Sequence, residues 1–358
     1  MRRSRTIAIV CAVAAFAAAG FFAFAPSRAT AHEQYVLTKG QFASDYAATG
    51  LNVWSSLASP HNRAVALAVG LGSLAVAIVY FIFTRSRWAP AVDRTLKHYE
   101  PLGVVAIRVA IGFSFVYSAL THVYLGPEIP EASLPFGVPI HVALYIVGVL
   151  LILGLFSEFA GLVSLVILGC ATWVYGAYML TYFNYFGEFL ALFLLGSRVF
   201  SVDRLIFGVK RAGERWKEWE TLLLRVTYGI SILYPAITIK LFHPEVIVDI
   251  VNRYNLNTIH WLFPGDPLLI SLGAGLAQIA VGILIIIGFE TRLASLVTFV
   301  LYVLSISFFR EVVWPHYILL ALSFYFVLND GGALTVDRWM EKHFSRSAER
   351  PVHATGAM

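Results

Sequence analysis

Long apolar runs that repeat along the chain limit it more than any other feature. A helix rises about 1.5 Å per residue, so about 20 apolar residues cross the hydrocarbon of a bilayer. After the first 31 residues, nine such runs can be read: 64–83, 102–123, 138–156, 160–180, 184–199, 222–241, 268–288, 293–309 and 312–328. Only 13% of the 358 residues are charged and 59% are hydrophobic. A water-soluble domain carries roughly 25% charged residues. The expected fold class is therefore all-α: a polytopic helical bundle in contact with the lipid bilayer.

The basic residues fix an orientation. Arg85, Arg87, Arg94 and Lys97 follow the first run. Arg198, Arg204, Lys210, Arg211, Arg215 and Lys217 follow the fifth, and Arg338, Lys342, Arg346 and Arg350 follow the ninth. Alternating spans put all three groups on one side, the cytoplasmic side by the positive-inside rule. The loop 126–139 on the other side has no Lys or Arg and carries Glu128 and Glu131. The expected location is the cell membrane, with the C-terminus in the cytoplasm. No basic stripe interleaved with aromatics is present, so nucleic acid is not an expected partner.

Arg2, Arg3 and Arg5 precede an apolar run that Pro26 ends, and Ala29-Thr30-Ala31 offers a cleavage site. Residues 1–31 read as a signal peptide, with an uncleaved anchor as the alternative. Either way 32–63 is an exported segment. Cleavage after Ala31 would expose His32, whose amine and imidazole together suit copper(II); a chance terminus is the bland alternative. The two cysteines, Cys11 and Cys170, form no CxxC, which argues against a thiol relay.

The chain also repeats itself. Ile107-Arg108-Val109 and Leu224-Arg225-Val226 each open a span. Further on, an ungapped offset of 134 residues pairs Gly148 with Gly282, Gly154 with Gly288, and Val202-Asp203-Arg204 with Val336-Asp337-Arg338. The first spans are offset by only 117, so the second copy holds an insertion of about 17 residues within 242–267. Two parallel four-helix units follow, 100–204 and 220–338. The additional span 64–83 and loop 84–99 precede them, an amphipathic linker 205–219 joins them, and a tail 339–358 follows.

The four-helix unit resembles the DoxX/DoxD-like membrane family. The resemblance rests on Arg108–Gly112, Gly154-Leu-Phe-Ser-Glu and Val202-Asp-Arg, and on their repeats at Arg225–Gly229, Gly288-Phe-Glu-Thr-Arg and Val336-Asp-Arg. That family includes a subunit of a thiosulfate–quinone oxidoreductase, and many members have no assigned activity. The resemblance implies a membrane subunit supporting quinone-linked redox chemistry, with a redox partner subunit and quinone as ligand. It supplies no catalytic residues. A small-solute transporter or channel and a non-catalytic scaffold or assembly factor remain the alternatives.

Ionisable residues inside a membrane are costly and point to function. Glu188 lies about one turn into a span, and Leu322 is its counterpart in the second unit. Tyr182 and Tyr185 share its helical face. His122 and His141 bracket the loop of the first unit, and His316 flanks the last outer turn; they are the histidines expected to complete a ligand pocket, by hydrogen bonds to a quinone carbonyl or through a metal. Scattered interfacial histidines are the plainer reading. Structural roles are expected for Arg108 and Arg225, snorkelling to head groups; for Glu158 and Arg292, paired across the units; and for Asp203 and Asp337, in the first turn of a surface helix.

Overall fold

A computed structural model describes residues 37, 39–133, 136–197, 199–207, 212–258, 264–309 and 315–348. The leader 1–31, His32 and the segment 310–314 lie outside the described residues. Among the described residues the secondary structure is helical, with one isolated β-bridge between Val123 and Pro130.

The α-helices are α1 (Lys39–Ala47), α2 (Pro60–Thr84), α3 (Ala89–Leu120), α4 (Gly137–Leu153), α5 (Ser157–Tyr175), α6 (Phe183–Leu195), α7 (Val202–Phe207) and α8 (Ala212–Pro235). They continue as α9 (Pro244–Arg253), α10 (Pro267–Ile287), α11 (Thr291–Phe309), α12 (His316–Leu328) and α13 (Val336–Ala348). Five helical runs are long and apolar enough to cross a bilayer: Pro60–Thr84, Ala89–Leu120, Ser157–Leu195, Trp219–Leu241 and Pro267–Ile287. Gly137–Leu153, Thr291–Ser307 and His316–Leu328 are shorter apolar helices.

Ser157–Leu195 is two crossings rather than one. Gly176 takes φ +57° and ψ −131°, a conformation open only to glycine. A 3₁₀ segment Gly176–Tyr182 follows, and α6 returns along α5. A Cβ on Gly161 would lie 2.9 Å from the Phe189 carbonyl, which shows how closely the two helices run. The protein is thus an all-α polytopic membrane protein. Its outward side chains are those of a lipid-facing surface: Leu67, Val69, Val79, Val166 and Trp173 are exposed.

Two sets of four helices, α3–α6 and α8 with α10–α12, make equivalent contacts. The first and second helices of each unit meet at a glycine pair. A Cβ on Gly112 would sit 2.8 Å from Gly148 O, and one on Gly229 would sit 2.8 Å from Gly282 O. The units dock reciprocally, because α3 packs on α12 while α8 packs on α6. Gly103 allows the first contact by lying against the Tyr325 backbone, and Gly187 allows the second by lying against Thr227.

Each unit closes at one face through the same clamp. Arg108 is 3% exposed and donates from Nη1 to Val199 O (3.2 Å) and from Nη2 to Phe200 O (2.7 Å). Arg225 is 1% exposed and donates to Gly331 O (2.6 Å) and Leu334 O (3.0 Å). The expectation that these arginines snorkel to head groups is therefore corrected. Each ties the turn before Val-Asp-Arg to the first helix of its unit, where bare carbonyls would be costly to bury.

The aspartates also act across elements. Asp203 accepts from Phe156 N (2.8 Å) and Ser157 N (3.0 Å), capping α5. Asp337 accepts from Glu290 N (2.9 Å) just before α11. Ser201 and Thr335 cap α7 and α13 themselves, accepting from Arg204 N and Arg338 N. The expected Glu158–Arg292 pair is also corrected. Arg292 Nη1 lies 2.7 Å from Asp93 Oδ1, because the start of α3 runs beside the turn between α10 and α11.

Three further features position the site. Pro235 ends α8 and is followed by a π-helical turn, Ala236–Leu241, which absorbs the missing N–H. The linker expected over 205–219 is split, since α8 already begins at Ala212. The insertion of the second unit forms α9, which packs with α1 in one apolar cluster: Leu37 and Phe42 meet Val246, Ile247 and Ile250. The 39–58 segment thus docks on the second unit, and Glu245 Oε1 accepts from Gly50 N and Leu51 N at 3.0 and 2.8 Å.

Candidate functional site

The connection between α3 and α4 (121–136) marks what we term the loop face, opposite the Val-Asp-Arg face. It is short and internally bonded, with Tyr124 N donating to Ile129 O (2.8 Å) and Glu131 N donating to His122 O (3.1 Å). That backbone sends its two carboxylates in different directions. Glu128 is buried and turns inward, where Tyr178 OH and Tyr182 OH (2.5 Å) donate to its Oε1. Glu131 turns to the rim.

Behind Glu128 runs a file of tyrosines. Ring centroids are 6.1 Å apart for Tyr175 and Tyr178, 6.1 Å for Tyr178 and Tyr182, and 5.7 Å for Tyr182 and Tyr185. The end of α5, the 3₁₀ segment and the start of α6 place these residues three or four apart, so the rings follow one another in a file of tilted and edge-on contacts. Tyr185 is 1% exposed and its hydroxyl lies 3.2 Å from Ser114 Oγ on α3.

Glu188 follows one turn deeper. It is 1% exposed, and Asn184 Nδ2 donates to its Oε1 at 3.2 Å. Its Oε2 is buried without a hydrogen-bond partner. An ionised carboxylate in such a position would be costly without a further hydrogen-bond donor. Gly187 beside it packs on Thr227 of α8, which puts Glu188 at the seam between the units.

Tyr228 begins a second polar track. Its hydroxyl is 2.6 Å from Ser323 Oγ, and Ser323 Oγ donates to Thr298 Oγ1 at 3.1 Å. Tyr302 lies next to it. The Tyr302 ring is 5.4 Å from that of His316, whose Nδ1 is 3.1 Å from Ser305 Oγ.

The six residues expected to share one pocket therefore fall into three groups. Tyr182 and Tyr185 belong to the file that leads to Glu188. His316 sits at the end of the Tyr228 track. His122 and His141 close on Glu131 at the rim. Sequence reasoning passed over Glu128 and Glu131 as mere loop charges, and over Asn184 and Tyr228. The available signal was the spacing of Tyr175, Tyr178, Tyr182 and Tyr185 at three- and four-residue intervals, which points back to the loop.

The DoxX family model matches residues 221–311, from α8 through α11. That stretch is therefore similar to a DoxX domain. The match covers about a quarter of the chain and falls in the second unit; its glycine pair, Gly229 with Gly282, recurs in the first unit as Gly112 with Gly148. No curated protein and no solved structure matches the chain.

Proposed function

We propose that this protein is the membrane component of a quinone-linked redox system, in which Glu188 handles protons. Reduction of a quinone to its quinol takes two electrons and two protons. In this reading a partner subunit supplies the electrons, and the chain supplies a path for the protons. The reading rests above all on Glu188 Oε2, a carboxyl oxygen buried without a partner beside the Gly187–Thr227 seam between the units. A carboxyl group beside phenols can accept a proton and pass it on, and the file from Tyr185 to Tyr178 leads from it to Glu128. The family resemblance supplies the quinone and the redox partner.

The same reading places the Arg- and Lys-rich Val-Asp-Arg face in the cytoplasm of a cell-membrane protein. The loop face, with Glu128, is then outside, and protons would enter or leave there.

The test is quinone reduction by membranes holding the intact complex, with Glu188→Gln and Glu188→Leu. Leucine is what the second unit carries at the matching position, Leu322. Both variants should retain the fold and lose turnover by at least about 100-fold, the usual scale of a lost proton-transfer group. Unchanged turnover in both would remove Glu188 from the reaction.

A further inference from the structure

At the rim of the loop face three side chains from three elements converge. His122 follows α3, Glu131 opens the 3₁₀ turn Glu131–Ser133, and His141 lies in the first turns of α4. Their ligand atoms all lie within 4.8 Å of one another. Glu131 Oε2 is 2.9 Å from His122 Nδ1 and 3.4 Å from His141 Nδ1. The imidazoles stack with centroids 4.8 Å apart and planes 11° apart, so both present a nitrogen to the same carboxylate oxygen.

We propose that His122, Glu131 and His141 form a binding site for a divalent transition metal of the zinc class. Two imidazoles and one carboxylate form a donor set typical of zinc. Bonds of about 2.0–2.1 Å in a tetrahedral arrangement put neighbouring ligand atoms about 3.4 Å apart. The observed separations of 2.9 and 3.4 Å are close to that edge, so small side-chain rotations would admit the ion.

Hydrogen bonding alone leaves the cluster incomplete. His141 Nδ1 is buried and makes no hydrogen bond, its contact with Glu131 being too long and poorly directed. A metal would satisfy that nitrogen. The frame is also built in advance: Glu131 N donates to His122 O, and the Val123–Pro130 bridge holds the two sides of the loop together. His122 sits at φ +54°, in the left-handed region that few residues other than glycine occupy and where histidine is among the more frequent.

Three protein ligands leave one tetrahedral position open. His122 is largely exposed, so that position faces the medium and would hold water or an exogenous donor. The inward neighbour on the same loop is Glu128, which receives the tyrosine file. An ion on Glu131 would therefore stiffen the loop at the mouth of the track. The site stands on its own geometry and does not depend on the redox reading.

The test uses the untagged full chain in detergent, carrying His32→Ala to remove the other exported imidazole that invites metal. After chelator treatment it is titrated with Zn²⁺ by calorimetry, and with Co²⁺ while the visible spectrum is recorded. One equivalent should bind, with the intense cobalt bands of a four-coordinate site. His122→Ala, Glu131→Gln and His141→Ala should each weaken binding by at least about 100-fold, since even outer-shell partners are worth 10–100-fold. Size-exclusion profiles of the variants should match the parent, because the cluster lies at the rim. Absence of saturable binding in the parent would overturn the proposal. So would an affinity unchanged in a folded His122→Ala/His141→Ala double variant.

Discussion

The two four-helix units share a frame and differ in what they bury. Both join their first two helices through a glycine pair, Gly112 with Gly148 and Gly229 with Gly282. Both close with a buried arginine on the turn before Val-Asp-Arg. Where the first unit has Glu188, however, the second has Leu322, which is fully buried. The first unit carries a tight loop with two carboxylates, and the second carries α9 with α1 folded over it. The fold therefore requires the clamps and the glycines, whereas the acid and the tyrosine file are additions to one copy. The duplicated frame thus closes without a buried acid at this position in its second copy.

The strongest way to break this comparison is to remove the clamps. Arg108→Ala and Arg225→Ala should each destabilise the protein by roughly 3–5 kcal/mol, because two or more charge-assisted bonds to carbonyls are lost in a buried site. Thermal unfolding in detergent should show similar losses for the two. A large loss for one and none for the other would mean that the units do not bear load alike.

Next come the glycine pairs. Gly112→Ala and Gly229→Ala introduce a Cβ against the facing carbonyl at 2.8 Å, so backbone must move. About 1–3 kcal/mol should be lost in each case.

The aspartates should have smaller effects. Asp203→Ala and Asp337→Ala remove caps on α5 and α11, worth about 0.5–2 kcal/mol. The effect should be larger for Asp203, which also accepts from Ser157 Oγ at 3.0 Å, where the described contacts of Asp337 to that turn include only Glu290 N.

The smallest expected effect is a pH dependence confined to the cap of the second unit. Burial, with help from the nearby Asp249 and Glu245, raises the Asp45 carboxyl above its ordinary 3.8. Folding therefore favours its protonated form. Its contribution is fully present below pH 3.8 and is lost as pH rises through the raised value. Amide exchange over 41–48, corrected for intrinsic rates, should show slightly firmer docking of α1 below pH 3.8 than at neutral pH. Asp45→Asn should abolish that difference.

The sequence by itself determined the all-α membrane class and showed an internal repeat, because bilayer thickness and a constant register can be read without any long-range contact. It also marked Glu188 as an unusual residue to bury. Only the tertiary structure decided where the polar side chains go. Arg108 and Arg225 sit near span ends, and spacing cannot tell a side chain that reaches outward to lipid from one that turns inward to carbonyls. Arg292 takes Asp93 because α3 extends beyond the span the apolar pattern defines. Glu128 and Glu131 are three residues apart in one loop, yet that loop's backbone bonding sends one to the tyrosines and the other to two histidines. Such choices depend on which helices become neighbours, and the pattern of apolar residues leaves them open because every span is apolar on nearly all sides.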